Sequence, residues 1–175
     1  MKTQHTLILL FYAFLFLNLK CKKENEPQLP PETTTGAMTF GCKIDGKVFV
    51  PKASIDGPAI TAQYIFLGTG PGGGWFLNLY GANRVDDPRA SVSIETDSLL
   101  LQSNSYSLKK DKGSPIGSVL VSIMPYDMGL SDNGILEITK HDQTQRILSG
   151  RFSFTATNGN GVKVNITEGR FDIRY

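Results

Sequence analysis

Three glycines in the segment GTGPGGG have the spacing of a dinucleotide-binding motif. Gly68, Gly70 and Gly73 match G-x-G-x-x-G, and the residues before them have the alternating pattern of a strand. A dinucleotide site also needs a helix after the glycines, because the helix N-terminus holds the pyrophosphate. The residues that follow, WFLNLYGA, favour another strand. The sequence therefore predicts a glycine-rich hairpin loop and no cofactor.

Residues that bind metal ions are too few or wrongly spaced to predict a metal site. The chain has two histidines, His5 and His141, and two cysteines, Cys21 and Cys42. A structural zinc site needs four ligands in characteristic pairs, which these residues do not supply. Several Asp and Asn residues near predicted turns lack the spacing of a calcium loop, so turn formation explains them better. These residues are Asp86, Asp87, Asp127, Asp132 and Asn133.

Paired carboxylates are the one catalytic arrangement that the sequence leaves open. Glycoside hydrolysis needs two carboxyl groups that flank the bond to be broken. Acidic residues on or next to predicted strands include Glu95, Asp97, Glu137, Glu168 and Asp172. Such residues more often form the solvated face of a sheet, and no G-x-S-x-G motif for a nucleophilic serine is present. We therefore predict that the protein is not an enzyme.

Aromatic residues are concentrated around the glycine-rich loop. Exposed Trp and Tyr rings bind sugars or partner proteins through large, stiff surfaces. Aromatic residues that alternate along strands are more often part of the core, and we expect most of this group to be buried. The group comprises Tyr64, Phe66, Trp75, Phe76, Tyr80, Tyr106 and Tyr126. Trp75 is the candidate ligand contact, because it lies at the mouth of the loop.

The first 20 residues have the features of an export signal. Leu7 to Leu19 form an almost unbroken apolar run of 13 residues. A helix that spans a bilayer needs about 20 apolar residues, whereas the apolar part of a signal peptide needs only about 7–15. Cys21 follows where a lipoprotein cysteine would be acylated, although Asn18 and Lys20 depart from the usual residues before such a cysteine. We predict a lipoprotein signal peptide over residues 1–20 and lipid attachment at Cys21; the alternative is a short uncleaved anchor.

Residues 21–38 have the composition of a tether. The segment KKENEPQLPPETTTGAMT is polar and proline-rich and has almost nothing to bury. Such a segment does not offset the entropy cost of folding, so we predict that it is disordered. With a triacylated cysteine at its start, the protein would stay at a membrane. The predicted location is the cell envelope, anchored by lipid to the outer membrane on its periplasmic or surface face.

The remaining residues, 39–175, predict one all-β domain. Phe40, Cys42 and Ile44 alternate with polar residues, and Asp45-Gly46 then predicts a two-residue turn that sets Phe49 opposite a buried Cys42. Turn residues separate the later apolar stretches at intervals typical of hairpins. We predict roughly ten strands in an antiparallel two-sheet sandwich or a closed barrel. The predicted strands after the first hairpin are Ile60–Leu67, Trp75–Ala82, Ala90–Thr96, Ser105–Lys109, Ser118–Met124, Ile135–His141, Ile147–Thr157, Val162–Thr167 and Arg170–Tyr175.

The charge of the chain argues against nucleic acid as a partner. Of its 18 basic residues, Lys2 and Lys20 precede Cys21, which leaves 16 basic residues against 16 acidic ones. A neutral domain without a basic cluster lacks the charge that binding to a phosphate backbone needs. The predicted partners are the membrane, through the lipid anchor, and a glycan or an envelope protein.

Three stretches of the sequence together resemble a known family. They are LPPETTTGAMTFGCKIDGKVFVP, LSGRFSFTATN and VKVNITEGRFDIRY. They resemble a family of Bacteroidota lipoproteins of unknown function, in which an anchored Pro/Thr-rich segment leads into a Phe-x-Cys hairpin and the chain ends in a Gly-Arg-Phe-Asp strand. The resemblance implies an exported, β-rich protein and no particular catalytic residues. Asp97-Ser98-Leu99 is similar to the sequence that these bacteria O-glycosylate on exported proteins, so Ser98 is a candidate modification site.

Three hypotheses for function follow. The leading one is a non-enzymatic lipoprotein with a binding or envelope-structural role. The alternatives are a barrel that holds a small apolar ligand, which a barrel of about eight strands permits, and a glycan-active hydrolase with two carboxylates on neighbouring strands.

Overall fold

A computed structural model describes residues 27–111, 113–129 and 132–175. The predicted signal peptide over residues 1–20 and the predicted lipid-attachment site Cys21 lie outside the described residues. The described part is all-β, without a helix, and contains eleven strands. They are β1 (Thr39–Ile44), β2 (Lys47–Phe49), β3 (Ile60–Phe66), β4 (Trp75–Asn83), β5 (Ala90–Glu95), β6 (Ser105–Leu108), β7 (Ile116–Val121), β8 (Met124–Asp127), β9 (Gly134–Asp142), β10 (Ile147–Thr157) and β11 (Lys163–Arg174). Within these residues no helix long and apolar enough to cross a bilayer is present.

The first hairpin forms as its sequence predicts. β1 and β2 pair in antiparallel fashion, with Cys42 opposite Phe49. Asp45 and Gly46 both have positive φ angles, of 46° and 81°, which a type I′ turn requires. Cys42 is buried, and this burial raises the pKa of its thiol to about 12. The prediction of a buried Cys42 opposite Phe49 is therefore confirmed.

All eleven strands belong to one antiparallel sheet rather than to two. The main path runs in the order β2, β1, β11, β10, β8, β7, β5, β4 and β3, while β9 also pairs with β10 and carries β6 on its other side. The hydrogen-bonded path ends at β2 and β3 and does not close. A single bridge joins Lys52, just after β2, to Asn83 at the end of β4. The all-β prediction is confirmed, but the strands form neither two separate sheets nor a fully paired ring.

Two elements differ from the strands predicted by pattern. The predicted break between residues 167 and 170 is instead a bulge inside the continuous strand β11, where Glu168 has a φ of 51° and the pairing with β10 shifts register. The predicted strand Ser118–Met124 instead contains a two-residue turn at Ser122 and Ile123, after which β8 pairs back onto β7. Ser122 has a φ of 57°, a conformation that serine adopts rarely and that its identity does not predict.

Aromatic rings fill the centre of the core. Phe152 has ring centroids of three other phenylalanines within 5.3 to 6.4 Å, which are those of Phe40, Phe154 and Phe171. The Phe154 ring lies against Gly117 so closely that a Cβ at this glycine would be 2.7 Å from the ring carbons. Glycine is therefore required at position 117 for steric reasons, since densely packed cores do not absorb an added methyl group freely.

The segment before β1 is folded onto the sheet, which corrects the prediction of a disordered tether up to residue 38. Asp172 on β11 is only 1% exposed, and its carboxylate accepts six hydrogen bonds. The donors are Thr33 Oγ1 at 2.6 Å, Thr35 N at 2.9 Å, Thr35 Oγ1 at 3.4 Å, Gly36 N at 2.8 Å, Ala37 N at 3.1 Å and Ser149 Oγ at 2.7 Å. Composition pointed to disorder because the segment has little to bury, but a buried carboxylate on the last strand supplies the missing attraction.

The hydrogen bonds of Asp172 outweigh the cost of burying its charge. Burial raises the pKa of the carboxyl group, but the bonds from Thr33, Ser149 and the backbone of residues 35 and 37 hold it well below its usual range. Glu32 extends the attachment through an ion pair with Arg151, 2.5 Å between Nη2 and Oε2. This ion pair is half-exposed and contributes little in comparison with the buried carboxylate.

We predict that Asp172 makes the domain sensitive to acid. Because the pKa is lower in the folded chain than in the unfolded chain, the stabilisation is complete above the unfolded value of about 3.9 and is lost as the pH falls below it. Asp172→Asn should lower the free energy of unfolding by roughly 2–3 kcal/mol at pH 7 and flatten its dependence on pH between about 2 and 4. Urea unfolding at several pH values measures both effects. Asp97→Asn, on an exposed loop, is the matched control, and equal losses for the two variants would contradict the prediction.

Candidate functional site

Aromatic side chains from distant parts of the chain meet at one end of the sheet. Trp75, the first residue of β4, pairs with Phe66 at the end of β3. The indole stacks on the Tyr64 ring at a centroid distance of 4.9 Å, with 18° between the ring planes, and its centroid lies 5.4 Å from that of Phe66. His141 and Tyr175 pack edge-on against the other side of this group, at 5.1 and 5.4 Å from Tyr64. We call these five residues the aromatic end.

Tyr64 connects this group to the loop that follows β5. Its side chain is buried, and its hydroxyl accepts a hydrogen bond from Leu101 N at 2.8 Å and donates one to Leu99 O at 3.3 Å. Burial raises the pKa of the phenol, so it stays neutral and keeps its donor proton. The loop carrying Leu99 and Leu101 is thereby fixed beside Trp75, whose carbonyl accepts a further hydrogen bond from Leu99 N at 2.8 Å.

His141 has a structural role in this arrangement. Its Nδ1 lies 2.8 Å from the carbonyl oxygen of Leu101, and since a carbonyl only accepts, Nδ1 carries the proton. In the neutral ring Nε2 is then an acceptor, and the hydroxyl of Tyr175 donates to it at 2.9 Å. Both ring nitrogens are engaged in holding the loop and the last residue in place. The histidine is therefore not positioned to serve as a base for a nucleophile.

The exposed part of the site is apolar. Phe66, Leu67 and Leu100 are each close to half exposed, at 49%, 58% and 48%. We call these three residues the apolar rim. Phe66 pairs with Trp75 on the β3 side, and Leu100 follows Leu99, whose amide bonds the Trp75 carbonyl on the other side. Trp75 itself is partly buried against Tyr64, so the residue singled out by sequence supports the surface more than it forms it. Phe66 shares a face with Tyr64, two residues earlier on β3, and that spacing next to a glycine-rich loop is the signal that could have identified it.

The two loops that frame the rim are joined by Ser98. Its backbone has a positive φ of 55°, and its Oγ donates a hydrogen bond to the carbonyl oxygen of Gly73. The three motif glycines lie in the connection between β3 and β4, and the segment after them is a strand, as predicted. Ser98 is exposed, as a glycosylation site must be, although a sugar on Oγ would replace the proton that this hydrogen bond uses. Modification of Ser98 remains a prediction.

The acidic residues considered for catalysis lie in different surroundings. Glu137 pairs with Arg151, and Glu168 pairs with Lys43, at 3.3 and 2.5 Å. Asp172 is saturated by hydrogen bonds. Arg151 also contacts Glu32, lowering the pKa of that carboxyl group, and its own pKa is raised in turn. Each of these carboxylates therefore already has a cationic or hydrogen-bonding partner, and the array holds neighbouring strands and the segment before β1 together.

Glu95 and Asp97 lie apart from that array. They line an open groove of about 380 Å³ together with Lys109, Lys110 and Asp111. The lining carries both signs of charge, with three acidic side chains against two basic ones. A second open groove, of about 420 Å³, lies on β9, β10 and β11 and is lined by polar residues together with Ile135, Phe154 and Ile166.

Asp132 shows how the acidic residues near turns are used. Its side chain is almost fully buried and accepts hydrogen bonds from Gly129 N at 2.9 Å, Thr157 Oγ1 at 2.8 Å and Lys163 Nζ at 3.2 Å. Burial raises the pKa of its carboxyl group, but these bonds more than compensate and the pKa is lowered. Within residues 27–111, 113–129 and 132–175, no group of three or more His, Cys, Asp or Glu side chains could hold a metal ion.

The aromatic end is thus the described surface best suited to binding. It combines a rigid aromatic support, two loops held by hydrogen bonds and an exposed rim of three apolar side chains. No protein-family profile, curated protein or solved structure matches the chain. The site is therefore interpreted from its own chemistry.

We predict that the Tyr64 hydroxyl stabilises the binding surface. Tyr64→Phe leaves the buried Leu101 N–H without its acceptor, which should lower the free energy of unfolding by about 1–3 kcal/mol. Hydrogen exchange of residues 99 to 101 should speed up at the same time, because the loop loses its attachment. Tyr80→Phe, on the opposite face of β4, is the matched control and should change neither quantity. A Tyr64→Phe domain as stable as the parent, with unchanged exchange, would show that the bond does not hold the loop.

Proposed function

We propose that this chain is an exported, lipid-anchored envelope protein whose β domain binds a partner without catalysing a reaction. The observation that carries the binding role is the apolar rim of Phe66, Leu67 and Leu100 on a rigid aromatic support. Apolar side chains exposed to solvent cost solvation free energy, and the presence of three of them at one end of the sheet favours an interaction site there. Export and anchoring are supported by the apolar run before Cys21 and by the resemblance to Bacteroidota lipoproteins.

An envelope protein is the partner that the rim favours. A sugar-binding site needs an aromatic ring with an open face and polar groups that bond the sugar hydroxyls. One face of the Trp75 ring is already covered by Tyr64. Leu67 and Leu100 add aliphatic surface, which suits the apolar centre of a protein interface. A glycan is the second candidate, since the half-exposed ring of Phe66 could still stack on a sugar.

We further propose that the sheet curls into a barrel-like body with a filled interior. Two observations support this curvature: the bridge from Lys52 to Asn83, and the contact of the Phe40 ring on β1 with Gly81 on β4. Both connect strands from opposite ends of the hydrogen-bonded path. The four phenylalanine rings in the core occupy the space that an apolar ligand would need, which weighs against the alternative of a ligand-holding barrel.

Lipid attachment predicts specific labelling of one cysteine. Cells that express the chain and are fed a palmitate analogue should label it through Cys21, and Cys21→Ser should abolish the label. Cys42→Ala is the matched control and should keep the label, because Cys42 is buried in the core. Unlabelled protein in the cytosolic fraction would contradict both export and lipidation. Unlabelled protein of full-length mass in the membrane fraction would instead support the short uncleaved anchor.

The binding role predicts contacts that depend on the rim. A photo-crosslinking amino acid at position 100 should capture an envelope protein in intact cells, and Phe66→Ser should reduce that product about tenfold or more, as expected for an aromatic anchor at an interface. The same crosslinker at position 63, on an exposed part of β3, is the control and should not give this product. A product that survives Phe66→Ser would contradict the proposed site. Binding to a glycan array that is lost with Phe66→Ser would select the glycan instead.

A further inference from the structure

Three loops come together at the end of the sheet that lies opposite the aromatic end. They comprise residues 52–57, 84–89 and 122–123, and we call them the turn end. Strands β1, β10, β7 and β4 all run in the same direction, because they alternate with antiparallel partners along the path of the sheet. Their last residues therefore lie at one end of the domain, while Trp75 at the start of β4 lies at the other.

Direct contacts join these loops to one another. Lys52 Nζ lies 2.7 Å from an oxygen of Asp86, and Arg89 Nη1 lies 3.7 Å from an oxygen of Asp56. The amide of Ser122 donates a hydrogen bond to the carbonyl of Arg89 at 2.7 Å. The three loops therefore form one continuous surface.

Each loop of the turn end presents a large aliphatic side chain to solvent. Ile55 is 102% exposed, Ile123 is 91% exposed and Val85 is 60% exposed. Ile55 and Ile123 occupy two-residue turns, where polar residues, glycine and asparagine are usual. Neither turn geometry nor the core accounts for isoleucine at these positions. Loop tips of this kind are suited to penetrate an apolar medium.

The chain before β1 leaves the domain toward this same end. Gly36 lies beside Arg174, Glu32 pairs with Arg151, and Pro30 contacts Gly41, which is opposite Arg170. Traced back from Gly36 to Pro30, the segment therefore follows β11 away from Arg174, in the direction in which β1 runs. From Gly36 back to Pro30, the chain thus runs toward the turn end and away from the aromatic end.

The proposed anchor lies close to Pro27 along the chain. Five residues lie between Cys21 and Pro27, and the six Cα-to-Cα steps of that chain reach at most about 20 Å. A lipid on Cys21 would hold the domain within that distance of the bilayer. The surface nearest to the exit of the chain is then the one most often presented to the lipid.

We infer that Ile55, Val85 and Ile123 insert into the interfacial region of the lipid bilayer and dock the domain on the membrane by its turn end. This inference rests on the proposed lipid attachment and names a second, direct membrane contact. The turn end carries three cationic residues, Lys52, Arg84 and Arg89, against three acidic ones, Asp56, Asp86 and Asp87. The contact is therefore driven by apolar burial and does not require anionic lipid. The apolar rim at the other end faces away from the membrane and stays free for a partner.

The experiment uses the full lipidated protein in phosphatidylcholine vesicles, with a polarity-sensitive fluorophore on Ile123→Cys or, as the matched control, on Leu100→Cys. The buried thiol of Cys42 does not compete for the label, and Cys21 is acylated in this protein. At position 123 the fluorescence should be quenched by brominated lipid and protected several-fold from aqueous iodide. At position 100 iodide should quench fully. Ile55→Ser with Val85→Ser should reverse the protection at position 123 without changing the circular dichroism of the domain.

The outcomes separate the two proposals. An acylated Cys21, shown by mass spectrometry, together with a fluorophore at position 123 as open to iodide as the one at position 100, overturns insertion and leaves the proposed anchor standing. A Cys21 without acyl groups overturns the anchor, and the insertion inference falls with it. Protection at position 123 that persists in detergent at low lipid and rises with protein concentration identifies a second copy of the chain as the occupant, which also overturns insertion.

Discussion

The carboxylate of Asp172 is the interaction on which the organisation of the domain depends. It lies on the last strand, yet it holds the segment before the first strand, 135 to 139 residues away along the chain. Burying a charge is unfavourable unless hydrogen bonds replace the lost water, and here six donor atoms do so. These bonds also specify geometry, because amide donors at three consecutive backbone positions fit only one path of the chain. That path determines where the N-terminal segment enters the domain and in which direction it points.

The fold was predictable where local residue identity determines local geometry. Asp45-Gly46 supplies the two positive φ angles of a tight turn, and the alternation around Cys42 then fixes the register of the first hairpin. Prediction failed where residues without such a preference adopt the same conformation. Glu168 and Ser122 have positive φ angles that their side chains do not favour. The sequence therefore does not predict the bulge in β11 or the turn before β8. Tertiary pairing imposes both conformations.

The candidate site was predictable only in part, for a related reason. Trp75 stands out because it follows a glycine-rich loop, and its place next to the site follows from that local feature. His141 and Tyr175 meet Tyr64 only after the sheet has formed, and their separation along the chain hides the contact. The exposure of Phe66 and Leu100 was not predictable for a different reason. A strand pattern indicates which residues share a face, but it does not indicate where that face is no longer covered by other side chains and is exposed to solvent.

Two kinds of exposed apolar surface lie at opposite ends of the sheet. At the aromatic end, hydrogen bonds from Tyr64, His141 and Ser98 fix the loops, so the rim is a preorganised surface whose ordering costs little on binding. At the turn end, single aliphatic side chains project from short turns, and no comparable aromatic support lies beneath them in the described residues. A fluid bilayer adapts to isolated side chains, whereas a protein partner binds more tightly to a rigid, contiguous surface. The different construction of the two ends is therefore consistent with the two different partners that we propose.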